Sequence, residues 1–179
     1  MRVLARHQRR RCGRRPDPRL VIIDTRSVPC IGVRGPRGYD GAKKLVGRKR
    51  VALVDAEGHV LALAVVPANV QDRDTLPALD DGKEPWPSLR LAIRDGAFTA
   101  GRCQEWCNLH GMRHRVVEKG PDQGGFVALE RRWLVERTLG WLSHGGGLLR
   151  ERAGRLDVAT GRLACVASLM AANALNNPA

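Results

Sequence analysis

Three acids stand where rigid backbone would hold them. Asp24 closes the apolar run LVIID of residues 20–24, and Asp95 follows LRLAIR of residues 89–94. Glu136 lies inside LERRWLVERTLGWL, residues 129–142. Hard divalent cations take oxygen ligands, and carboxylates on fixed elements are their natural supports. Two such cations, roughly 3.5–4 Å apart, bracket the attacking and leaving oxygens of a phosphodiester. Each acid alone reads as an ordinary turn cap, so the chemistry depends on the fold bringing all three together. Arg132 sits one helical turn before Glu136, placed either to meet a phosphate or to form a surface ion pair with Glu136.

Other chemistries fare worse on spacing. Cys103, Cys107, His110 and His114 form C-x3-C-x2-H-x3-H. Four ligands on one continuous helix cannot surround a zinc ion tetrahedrally, so core cysteines and surface histidines are expected. The piece GPDQGG lacks the GK[ST] ending of a nucleotide loop. Trp133 and Trp141, eight apart on one helix, are expected in the core.

The elements that must carry the acids follow from periodicity. LVIID suits a buried central strand, since a strand covered on both faces is apolar without interruption. Residues 29–50 are rich in Gly and Lys and read as irregular. Strands are expected at Arg50–Asp55 and His59–Val66, joined by Ala56-Glu57-Gly58. A short helix is expected between Asn69 or Asp72 and Leu79, a strand over residues 89–94, a helix from Gly101 to Leu109 and a strand over residues 113–119. Residues 129–142 have apolar positions at helical period, and a last helix runs from Asp157, as N-cap, to Leu175. Three strands followed by alternating elements describe an α/β fold, a mixed sheet flanked by helices.

Charge names the class of partner. Thirty-one Lys and Arg against eighteen Asp and Glu give a net charge of +13 and a pI near 10.9, which favours a polyanion. Residues 1–19 hold eight of the arginines and read as a basic, mobile N-terminal arm preceding one domain over residues 20–179. Lys43, Lys44, Arg48, Lys49 and Arg50 form a second basic run, suited to clamping phosphates or to an ordinary solvated loop. Apolar runs fall short of the roughly 18 residues of a membrane span, and five irregularly spaced cysteines do not read as a disulfide framework. The expected setting is cytoplasmic, in association with the nucleoid, with no membrane partner.

The blocks around the acids carry a resemblance. VIIDTRSV at 21–28, GPRGYDGAKKLVGRKRVALVD at 35–55, VPANVQDRD at 66–74, IRDGAF at 93–98 and ERRWLVERTLGWL at 130–142 stand in this order. Together they resemble the DDE-type insertion-sequence transposases of the insertion sequence five family, over roughly residues 12–175. The resemblance implies a ribonuclease H-like fold, with Asp24, Asp95 and Glu136 as both catalytic acids and metal ligands. It also implies Mg2+ as the metal, with Mn2+ as a substitute. The implied reaction is water attack that frees a 3′-OH at an element end, followed by attack of that hydroxyl on target DNA. DNA, as element ends and target, is the implied partner, and a homo-oligomer is compatible with it.

Two departures from that family matter. Its signature of Tyr, Arg, Glu and Lys falls on Leu129, Arg132, Glu136 and Ser143, so only Arg and Glu match. Ser143-His144-Gly145-Gly146-Gly147 replaces an expected Arg cluster, and glycines there are expected to end the helix. The family's helical end-recognition part has no counterpart before Asp24, so the chain is expected to be the second of two reading frames, with an upstream-frame N-terminal partner or fusion, or a truncation. A catalytically inactive DNA-binding remnant is the competing reading, and a nuclease without strand transfer is a third.

Overall fold

The computed structural model describes residues 1–80, 86–98, 101–116 and 132–176. Helix α1, Arg2–Arg11, is followed by strands β1, Leu20–Pro29, β2, Gly38–Asp40, β3, Leu45–Val54, and β4, Val60–Pro67. Two 3-10 turns, Asp72–Asp74 and Leu76–Leu79, lead to β5, Leu91–Arg94. Then come α2, Arg102–Leu109, β6, Arg113–Val116, α3, Arg132–His144, and α4, Leu156–Asn176.

The sheet is mixed. β1 lies between β3, to which it is antiparallel, and β5, to which it is parallel, with Ile22 opposite Ile93. β6 continues the parallel half beside β5, while β2 and β4 pair successive stretches of β3. Alternation splits the apolar run of β1 between two cores. Val21 and Ile23 join Leu53, Leu76, Phe98 and Trp106 on one face. Ile22 joins Ile93, Val135, Leu139 and Leu163 on the other, beneath α3 and α4. Asp24, two residues beyond Ile22, therefore inherits the α3 side of the sheet.

The expected strands and helices are present, except that residues 117–119 and 129–131 of two of them lie outside the described residues and Asp157 falls within the first turn of α4 instead of capping it. Four larger differences stand out. The expected mobile arm is largely α1, docked on α4 and β4 with Ala5 buried, and Arg2 and Arg6 lie over the Trp86 ring at 5.3 and 5.5 Å. Eight arginines among nineteen residues hide that helix's small apolar face in sequence. Residues 29–50 hold β2 and most of β3, because a strand whose inward positions are Arg48 and Arg50 shows no apolar alternation. The short helix expected before Leu79 is a pair of 3-10 turns. Finally, α4 is long and apolar enough to cross a membrane by length and composition, a property that shorter apolar runs in its sequence conceal. In this fold it packs on β4 and α1, burying Ala159, Leu163 and Ala167.

Candidate active site

The parallel pairing of β1 with β5 sets the first two acids side by side. Leu20, Val21 and Ile22 pair with Leu91, Ala92 and Ile93, so both strands deliver an acid, Asp24 and Asp95, at the same level. Asp95 stands just past β5, where its carbonyl accepts the Phe98 N–H and closes a turn. Helix α3 lies over β1 and presents Glu136 from above.

One guanidinium meets all three acids. Arg132 Nη2 lies 2.9 Å from Glu136 Oε1 and 4.0 Å from Asp24 Oδ2, and Nη1 lies 3.4 Å from Asp95 Oδ2. The ion pair of Arg132 with Glu136 is thus present, but it is one arm of a three-acid contact rather than an isolated surface pair. The three carboxylates converge on a single cationic position, and an all-oxygen donor set of this kind fits Mg2+ or Mn2+.

Burial separates the acids. Glu136 is about half exposed, whereas Asp24 is nearly enclosed. Desolvation pushes the Asp24 carboxyl up to about 7, aided by Asp95 and Glu136, against the Thr25 N–H and Arg132. That N–H donates to Asp24 Oδ1 at 2.7 Å and fixes the carboxylate's orientation.

The acids open into a polar cleft of about 870 Å³ whose walls include Arg26, Tyr39, Lys43, Lys49 and Asn69. The five basic residues at 43–50 divide between its rim and the interior. Lys43 and Lys44 are exposed in a turn organised by Asp40, whose Oδ1 accepts the N–H groups of Ala42 and Lys43. Lys49 borders the cleft with its Nζ held by the Val70 carbonyl at 2.7 Å and Asp72 at 2.8 Å.

Arg48 and Arg50 do not reach the cleft at all, which corrects their reading as phosphate clamps. Both are essentially fully buried, on the face of β3 that the C-terminal segment covers. Arg48 donates to the carbonyls of Pro36 at 2.8 Å and Gly154 at 3.1 Å. Arg50 donates to the Leu148 carbonyl at 2.6 Å and to Ser143 Oγ at 3.4 Å, with Glu151 3.8 Å away. They pin residues 148–155 to the sheet, so a basic run in sequence is partly a structural clasp.

Trp133 and Trp141 also depart from the core placement expected of them, at 48% and 54% exposed. The buried stripe of α3 is Leu134, Val135, Leu139 and Leu142, which turns positions 133, 137 and 141 outward. Arg137 lies 4.6 Å from the ring centroid of each tryptophan. Arg26 is the cleft cation that sequence reasoning missed; its only signal is strand alternation from Asp24.

The remaining departures have local explanations. Ser143, at the place of the family's Lys, is buried and donates to the Leu139 carbonyl, while Leu129 lies outside the described residues. Helix α3 ends at His144 and Gly145–Gly147 form a 3-10 turn, as expected of the glycine run. Cys103 and Cys107 are buried free thiols that hydrogen-bond to each other, with Arg94 donating to Cys103 Sγ at 3.0 Å. The Cys107 hydrogen bond lowers the Cys103 thiol to about 7 and raises the Cys107 thiol. His110 packs edge-on to Trp106 and pairs with Asp80, so the four zinc candidates are dispersed. Asp55, Glu57 and His59 do cluster, but Arg9 fills the position between the two acids.

A protein of Burkholderia cepacia provisionally assigned as the transposase for insertion sequence element IS402 is 29% identical over 155 residues, covering 79% of this chain and 72% of its own. The magnesium-bound dimeric catalytic core of HTLV-2 integrase superposes with a TM-score of 0.50 at 18% identity, over 82% of this chain and 83% of the core. The sheet and its flanking helices are thus of the ribonuclease H-like kind found in retroviral integrase cores. The family model of the transposase DDE domain matches residues 15–173, and the chain belongs to that family.

Proposed function

We propose that this chain is the catalytic domain of an insertion-sequence transposase, and that Asp24, Asp95 and Glu136 hold the divalent ions with which it cleaves and joins DNA. The observation that carries the proposal is the single cationic position on which the three acids converge. Magnesium, or manganese in its place, would be held by these three carboxylates. When bound, such ions activate water or a 3′-OH and neutralise charge on the scissile phosphate.

The chain's own residues supply the rest. Thr25 fixes the Asp24 carboxylate, and the β1–β5 register sets the spacing of the two aspartates. Arg132 balances the acids and, on the same helix turn as Glu136, is positioned to pass to a phosphate oxygen when cations take its place. Lys43 and Lys44 extend positive charge along the rim toward a bound strand. Such contacts give affinity without sequence preference. DNA is therefore the proposed partner, a homo-oligomer the proposed assembly, and the nucleoid the proposed setting.

The test is metal-dependent nicking of labelled duplex DNA. Wild-type protein is expected to nick with Mg2+ or Mn2+ and to stop on chelation. Asp24→Ala, Asp95→Ala and Glu136→Ala are each expected to abolish the activity. Nicking that survives all three substitutions would place the chemistry elsewhere. DNA binding with no nicking under any metal would favour the inactive remnant.

A further inference from the structure

We infer that Arg26 grips a phosphate of the DNA strand lying in the acidic cleft, beside the bare backbone of Gly140. The inference rests on the DNA-processing reading of the site. Strand alternation puts Arg26 on the same face of β1 as Asp24, about 6–7 Å further along at the usual rise per residue. It is exposed and borders the cleft that holds the acids.

Its surroundings are unfavourable for a cation without an anion. The residue directly opposite Arg26 on β3 is Arg50, and facing like charges weaken a sheet. Arg50 resolves the conflict by turning inward to the Leu148 carbonyl and Glu151. Glu151 is shared with Arg162, at 3.7 Å, so the nearby buried carboxylate is already committed. Among the described residues, no carboxylate lies within ion-pair distance of Arg26. Lys49 is tied to Asp72 and Arg132 to the three acids, which leaves Arg26 as the uncommitted cation on Asp24's own strand.

Gly140 adds an independent sign. It lies one turn beyond Glu136 inside α3, where glycine costs helix stability relative to alanine. A Cβ built there would stand 3.8 Å from Arg26 Nη1, in ordinary van der Waals contact, so the backbone of α3 passes beside the guanidinium with no side chain between them. A guanidinium uncovered in this way, beside a site for phosphodiester chemistry, suits a phosphate oxygen.

The test is binding of a labelled duplex to the full chain with Mg2+, titrated at several salt concentrations. Arg26→Gln is expected to weaken binding about five- to tenfold and to make the log K against log salt slope shallower by about one. Its Mn2+ affinity without DNA should stay at the wild-type value. Arg26→Lys should keep the wild-type slope, since charge is what counts. Gly140→Gln should weaken binding severalfold without lowering the melting temperature, and should add little in the Arg26→Gln background. An unchanged affinity and slope in Arg26→Gln would overturn the inference while leaving wild-type nicking, and the proposed function, intact. Equal losses in Arg26→Gln and Arg26→Lys would overturn it in favour of a packing role.

Discussion

Asp24 is the acid with most at stake in its protonation, because it is enclosed while its partners face solvent. Its folded pKa, raised to about 7 chiefly by burial, lies above the unfolded value of 3.8. The folded state then binds the proton more tightly, so this group's contribution to stability is present at low pH and is lost as pH rises through about 7. Thermal melts without metal should therefore show a melting temperature that falls between about pH 4 and 7 and levels off above, and Asp24→Asn should flatten that fall. Metal competes with the same proton, so Mn2+ affinity should climb over the same interval. Arg132 competes with metal too. Arg132→Gln at pH 8 is expected to tighten Mn2+ binding about tenfold, on the scale of one charge-assisted contact, while reducing nicking. Calorimetric titration showing weaker or unchanged Mn2+ binding in that variant would remove Arg132 from the site.

At the scale of elements, the chain is readable where burial and type agree. LVIID reads as a central strand because both its faces are covered, and Asp24 and Asp95 stand out as acids closing apolar runs, although β1 itself continues past Asp24 to Pro29. Arg48 and Arg50 misled because a buried guanidinium and a solvated one look alike in sequence; only the carbonyls of Pro36, Leu148 and Gly154 tell them apart. Trp133 and Trp141 misled for the opposite reason, since large aromatics are more often inside than stacked on an exposed arginine. Arg26 escaped notice because nothing in sequence reveals that its cross-strand neighbour is Arg50. The glycine run was legible as a helix stop, though not its packing. A Cβ on Gly145 would stand 2.3 Å from Val166 Cγ1 on α4. Gly145→Val should thus destabilise the fold by about 1–3 kcal/mol, the usual cost of overpacking. Val166→Ala should recover part of that loss in denaturant titrations, and a neutral Gly145→Val would show the α3–α4 junction to be slack.

Across the whole molecule, the N-terminal helix is closed over the sheet by charge as well as by apolar contact. Burial disfavours the Asp55 carboxylate, but its hydrogen bonds with His59 and Arg9 outweigh that effect and hold it below the usual carboxylate range. This sign is opposite to that of Asp24: the stability is present above the ordinary Asp value and is lost as pH falls through the folded one. Asp55→Asn should loosen α1 near neutral pH, read as faster amide exchange in residues 2–11, and should lessen acid sensitivity; unchanged exchange would mean that apolar contact alone holds the helix. Asp55, Glu57 and His59 also lie close enough to share a metal ion, with Arg9 now between the two acids, and are remote in chain position from the acids of the cleft. The most direct measurement of the central claim exploits that contrast, through anomalous diffraction from crystals soaked in MnCl2. The account predicts manganese between Asp24, Asp95 and Glu136, with the Arg132 guanidinium displaced from them. Manganese bound at Asp55 and His59 alone, with Arg132 still bridging the three acids, would contradict it.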